Sequence, residues 1–109
     1  MTAAAHDPDP ISLTDACAEL DSGAAVLVDV RDAAAWREGH ARGAVHVPID
    51  QLGAHLAQLP TEVRVITTCG GGTRGVRAAR ELLAAGRDAA VLTGGMRAWV
   101  AAGLDVETG

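Results

Sequence analysis

The residues best suited to chemistry lie in one run, Val65-Ile66-Thr67-Thr68-Cys69-Gly70-Gly71-Gly72-Thr73-Arg74-Gly75. A cysteine ends a β-branched stretch, glycines follow it, and an arginine stands four intervening residues further on. Glycines allow successive backbone N–H groups to point into one concavity, and a helix beginning there adds roughly half a positive charge at its N-terminus. Both effects favour a thiolate at Cys69, the expected catalytic residue. Gly70, Gly71, Gly72, Thr73, Arg74 and Gly75 are then the expected substrate-binding loop, with Arg74 offering paired N–H donors to an incoming oxyanion. The plainer alternative is a small strand-end cysteine followed by a flexible turn.

The flanking patterns supply what such a loop needs. Val63–Thr68 reads as a buried strand that delivers Cys69, and a helix from Thr73 to Ala85 puts Val76, Ala79, Leu82 and Leu83 inward, with Gly86 as its stop. Ala25–Val30 is a near-continuous apolar run, the pattern of a central strand covered on both faces. Asp32 can cap a helix over Ala33–Glu38, Gly39–Gly43 reads as a loop, and Val45–Val47 as a strand stopped by Pro48. Asp50 is expected to cap a helix running to about Leu59. Ala89–Leu92 is a further strand, Gly94-Gly95 a turn, Met96–Ala102 a helix and Leu104–Gly109 a tail. Ahead of these, Ile11-Ser12 suggests an edge strand, and Ser12-x-x-Asp15 resembles a capping box for a helix through Leu20. That helix puts Leu13, Ala16, Cys17 and Leu20 on one face, which makes Cys17 a core residue. Strands alternating with helices predict a parallel sheet with helices on both faces, whose function sits at the carboxyl edges of the strands.

Composition narrows the function classes. The chain has 109 residues, 49% of them hydrophobic, enough for one core and one domain. Residues 1–10 read as a flexible N-terminal segment and 11–107 as a single domain. Formal charge is −5, the basic residues are all arginine, and the aromatic residues are Trp36 and Trp99 alone. Neither a phosphate-neutralising patch nor a base-stacking platform is evident, so no nucleic acid partner is expected. No secretory signal or apolar stretch of ~18 residues is seen, giving the expectation of a cytoplasmic protein with no membrane partner. Cys17 and Cys69 are far apart and not in a C-x-x-C pair, so neither a disulfide framework nor a metal site is suggested.

Four separated segments extend the reading. Asp29-Val30-Arg31 closes the Ala25–Arg31 run. Trp36-Arg37-Glu38-Gly39-His40-Ala41-Arg42-Gly43-Ala44 precedes the cysteine loop. Val91-Leu92-Thr93-Gly94-Gly95-Met96-Arg97-Ala98-Trp99 and Ala102-Gly103-Leu104 follow it. In that order, with Cys69-x4-Arg74 between them, they resemble the rhodanese family from Ile11 to Val106. The resemblance implies a three-layer α/β/α domain with a five-stranded parallel sheet. It also implies a thiosulfate sulfurtransferase whose cysteine cycles between thiolate and persulfide, without a cofactor. Its partners would be a small sulfur donor such as thiosulfate and a thiol, cyanide or protein acceptor. Alternative roles within the family are a persulfide carrier and a non-catalytic interaction module. Related phosphatases and arsenate reductases of this fold have one more residue between cysteine and arginine, so the short loop here favours sulfur over phosphate. Many family loops carry small hydroxyl residues where this chain has Gly71 and Gly75, which implies weaker thiosulfate turnover.

Other residues receive structural readings. Asp29 and Arg31 are expected to brace the active loop, and His40 to stabilise a turn through a hydrogen bond rather than act as a base. Trp36 and Trp99 are expected in the core. Arg77 and Arg80 either add positive field near the loop or solvate an exposed face. His46 and His55 have no suggestive partners in the sequence.

Overall fold

The computed structural model describes residues 7–70 and 73–109; the loop glycines Gly71 and Gly72 lie outside the described residues. In chain order the elements are β1 (Asp9–Ile11), α1 (Leu13–Ser22), β2 (Ala25–Asp29), α2 (Ala33–Glu38), β3 (His40–Ala41), β4 (Val45–His46), α3 (Leu52–His55), β5 (Arg64–Thr68), α4 (Thr73–Ala84), β6 (Ala89–Leu92), α5 (Gly95–Ala101) and β7 (Val106–Glu107). Five strands form a parallel sheet in the order β1-β6-β5-β2-β4. The β-branched runs β2 and β5 pair over five residues at its centre, from Ala25 opposite Arg64 to Asp29 opposite Thr68.

Side chains alternate across each strand, so neighbours supply opposite cores. Val28 and Val65 join Leu52, Leu59, Ala78 and Leu82 on the face covered by α3 and α4. Leu27 and Ile66 join Ile11, Ala16, Met96 and Trp99 on the face covered by α1 and α5. The result is the expected α/β/α layering. From β2 the chain moves outward to β4, then returns to the far side of β2 as β5 and continues to β6. The direction of winding therefore reverses between β2 and β5, and their carboxyl ends flank the crevice where open α/β sheets bind ligands.

Several local elements differ from their expected form. Asp9 and Pro10 belong to β1, paired with Ala90 and Val91, although the sequence reading leaves them in a flexible segment. Proline is compatible with this edge position, where one side of the strand needs no ladder partner. Gly39–Gly43 is not all loop: His40 and Ala41 pair antiparallel with Glu107 and Val106, so the tail also gains a strand. The single helix expected from Asp50 to Leu59 is instead a 3-10 turn (Ile49–Gln51), one α-helical turn and a second 3-10 turn (Leu56–Gln58). Asp50 lies inside the first turn and caps nothing. Gly53 weakens helix propagation there, and Arg87 captures the end of the segment by donating to the carbonyls of Leu56 and Leu59 at 2.6 and 3.1 Å. By contrast Ser12 and Asp32 cap α1 and α2 as expected, accepting from the amides of Asp15 and Ala35. No described helix is long and apolar enough to cross a membrane.

Candidate active site

Cys69 follows β5, whose Val65, Ile66 and Thr67 are fully buried. The Gly75 amide, within the first turn of α4, donates to the Cys69 Sγ at 3.4 Å. The Thr67 hydroxyl donates to the Gly75 carbonyl at 2.7 Å, so the strand itself fixes the turn that faces the sulfur. From the other side the Met96 amide donates to the Cys69 carbonyl at 2.8 Å. Gly95, at φ +54°, makes this approach feasible, because a Cβ there would collide with the Cys69 carbonyl oxygen. The cysteine is thus held between the starts of α4 and α5, and only 3% of it is exposed.

The remaining loop residues divide by position. Gly70 is half-buried and Gly75 buried, whereas Thr73 and Arg74 are exposed at the start of α4. The structure therefore joins Cys69 to Gly75 and places Thr73 and Arg74 on the outer side of the same turn. Arg74 has no carboxylate partner among the described residues. A Cβ at Gly75 would sit 3.7 Å from the sulfur and 3.4 Å from Thr67 Oγ1, both ordinary contacts.

Asp29 and Arg31 form the bracket next to this loop. Asp29 is fully buried, and Arg31 grips its carboxylate through Nε and Nη2, the latter at 2.7 Å. The same Nη2 donates to the Gly39 carbonyl at 2.7 Å, tying the end of β2 to the turn before β3. One residue before Cys69, the Thr68 carbonyl accepts from the Val30 amide at 3.0 Å, which couples this bracket to the cysteine strand.

His40 is buried, and its Nδ1 is hydrogen-bonded to the Trp36 carbonyl at 2.8 Å. Its ring also stacks on the Trp36 indole, centroids 3.5 Å apart and planes within 2°. Trp36 is not the core residue expected from sequence: it is half-buried and stacks with His46 as well, at 4.7 Å. His46, without a partner in the sequence reading, bonds through Nε2 to the Arg31 carbonyl at 2.8 Å. The spacing of Trp36 and His40 signals their contact. That of His46 depends on its pairing opposite Asp29, which no local pattern reports. Trp99 does enter the core, with its indole N–H donating to the Asp105 carbonyl at 2.8 Å.

Cys17 is half-buried rather than fully buried, packed against the α1–α5 core. Burial and, secondarily, the Asp21 carboxylate push its thiol up from the ordinary range. It lines a cavity of about 540 Å³ with Leu20, Val26 and Arg42, and Cys69 is not in that lining. Two depressions border the cysteine loop. One of about 450 Å³ is lined by Arg31, Gly70, Met96, Arg97, Val100 and Ala101. The other, about 460 Å³, includes Pro8, Pro10, Thr73, Val76 and Val91. Among the described residues no group of three or more His, Cys, Asp or Glu side chains is placed to hold a metal.

Comparison with known proteins gives the same fold. A thiosulfate sulfurtransferase from Pseudomonas aeruginosa is 33% identical with a TM-score of 0.84, covering 95% of this chain and 20% of that one. The chain thus spans about a fifth of that protein. A protein from Bacillus halodurans is 28% identical with a TM-score of 0.83, covering 92% of this chain and 77% of that one. A rhodanese-like domain protein from Staphylococcus aureus is 28% identical with a TM-score of 0.77, covering 84% and 90% respectively. The family model of the rhodanese-like domain matches residues 12–102, from the cap of α1 to the end of α5. Matched over that length, the chain belongs to the rhodanese-like domain family.

Proposed function

We propose that the chain moves a sulfane sulfur from thiosulfate or a related donor to a thiol or cyanide acceptor through a persulfide on Cys69. The observation that carries this reading is the Cys69 sulfur at the end of a central strand, accepting the Gly75 amide at the opening of α4. An anionic sulfur is favoured by that amide and by the helix dipole behind it. The thiolate attacks the outer sulfur of the donor; the new S–S bond forms as the donor's S–S bond breaks, and sulfite leaves with the electron pair. An acceptor nucleophile then takes the outer sulfur and returns Cys69 to the thiolate. Arg74, exposed and without a carboxylate partner among the described residues, is suited to receive the donor's sulfonate oxygens.

A persulfide carrier with slow thiosulfate turnover is the second reading, and Gly75 favours it. A Cβ there would meet only ordinary contacts, 3.7 Å from the sulfur, and a hydroxyl on it would be a donor that Gly75 does not supply. Intact mass after thiosulfate treatment tests both. The expected result is a gain of one sulfur, removed by a reducing thiol, absent from Cys69→Ala and retained in Cys17→Ala. No gain with any donor would sink both readings and leave a non-catalytic module. Loading without steady-state thiocyanate production from thiosulfate and cyanide would select the carrier.

A further inference from the structure

The depression between Gly70 and α5 differs in chemistry from the rest of the loop's surroundings. Its apolar lining is Met96, Val100 and Ala101, and its charged groups are Arg31 and Arg97. Arg31 is neutralised by the buried Asp29 carboxylate at 2.7 Å. Arg97 is exposed and has no carboxylate within ion-pair distance among the described residues. By contrast Arg42, Arg64, Arg77 and Arg80 each face a carboxylate. Among the described residues the other arginines lacking one are Arg74, Arg37 on α2, and Arg87, which donates instead to the Leu56 and Leu59 carbonyls; none of the three lies in this lining. The other depression that borders the loop has no charged residue in its lining.

Arg97 also stands at a fixed offset from the cysteine. Its neighbour Met96 is hydrogen-bonded to the Cys69 carbonyl, and Gly95 packs against the Cys69 and Gly70 backbone. A volume of about 450 Å³ suits a small molecule. We propose that this depression is the acceptor subsite and that Arg97 selects there a small thiol bearing a carboxylate.

The proposal rests on the sulfur-transfer reading. The acceptor's carboxylate pairs with the Arg97 guanidinium while its short apolar stem lies on Met96 and Val100. Its thiolate attacks the outer sulfur of the Cys69 persulfide. The acceptor–sulfur bond forms as the bond to Sγ breaks, the electron pair returns to Sγ as a thiolate, and the persulfide proton stays on the transferred sulfur. Charge and atoms balance, with no added oxidant or reductant. Arg97 binds the acceptor and takes no part in bond making.

Single-turnover kinetics on persulfide-loaded protein provide the test, comparing 3-mercaptopropionate with the uncharged 2-mercaptoethanol. Arg97→Ala is expected to lower the preference for the anionic thiol about tenfold, the scale of one charge-assisted contact. Arg97→Lys should restore much of it, and the rate of loading from thiosulfate should change less than twofold. An unchanged preference, or an equal loss for both thiols, overturns the proposal. A non-reactive probe separates this outcome from failure of the sulfur-transfer reading. Titration of unloaded protein with 3-(methylthio)propionate should shift the amide resonances of Arg97 and Val100, and should not do so in Arg97→Ala or with 2-(methylthio)ethanol. Binding without persulfide formation would keep the carboxylate site and discard sulfur transfer. Absence of that binding discards the site even where loading succeeds.

Discussion

Asp29 shows what the site demands of individual residues. Its carboxylate is fully buried, and the Arg31 fork at 2.7 Å is what offsets the loss of water. Arg31→Ala removes that partner and frees the Gly39 carbonyl, so it should lower unfolding free energy by about 3–5 kcal/mol. The double variant with Asp29→Asn should be less unstable than Arg31→Ala alone, because no buried charge is then left unpaired; chemical denaturation of the four proteins measures the coupling. Cys17 allows a test in pH. Its thiol is raised by burial first and by Asp21 second, so the folded chain holds this proton more tightly than the unfolded chain. The associated stability is present below the unfolded value of ~8.5 and is lost as pH rises through the folded value. Denaturation midpoints should therefore fall above about pH 9, with a shallower slope in Cys17→Ala than in the parent. At this scale the cysteine loop is legible because its residues are contiguous. The stacking of Trp36 with His46 is not, because it needs β4 laid beside β2. Arg97 passes unnoticed in sequence for a related reason: only the packing of α5 against Gly70 gives it a place at the site.

Elements with strong periodicity and a cap follow their sequence closely. α1 and α2 begin where Ser12 and Asp32 predict, and α4 shows the expected amphipathic face, ending one residue short of Ala85. Where an element depends on distant partners the local pattern misleads. β3 and β7 exist only through each other, and the segment after Pro48 is held by Arg87 from beyond α4 rather than by its own cap. The start of α5 offers a direct test of its role in holding Cys69. Gly95→Ala would impose a left-handed conformation on a residue with a Cβ and drive that Cβ into the Cys69 carbonyl oxygen. A loss of at least about 2 kcal/mol is expected, or roughly 10 °C in thermal midpoint. Substitution at Gly53, where a Cβ meets open space, should cost far less. Equal effects at the two positions in a thermal melt would contradict the close approach.

For the molecule as a whole, the formal charge of −5 would oppose the proposed dianionic donor, whereas Arg74 stands on the cysteine loop without a carboxylate partner among the described residues. Local field governs encounter when the charges lie within a screening length of about 8–10 Å at moderate salt. Persulfide formation from thiosulfate should therefore slow, by roughly two- to fivefold, as ionic strength rises from about 0.05 to 0.5 M. Stopped-flow rates that instead rise with salt would show repulsion by the whole chain to dominate. The parallel sheet was readable from alternating strands and helices, but the order of its strands was not. Spacing alone does not say that the chain returns past β2 before laying down β5, and that return is what sets the Asp29–Arg31 bracket beside the cysteine.

Cys69 is 3% exposed, and its carbonyl is moored to Met96. A berth that deep constrains traffic more than chemistry. Under the proposed transfer, cargo would change hands there only with a visitor slender enough to reach in, so bulky recipients would have to present the tip of a flexible arm, and a thiol's girth would matter as much as its nucleophilicity.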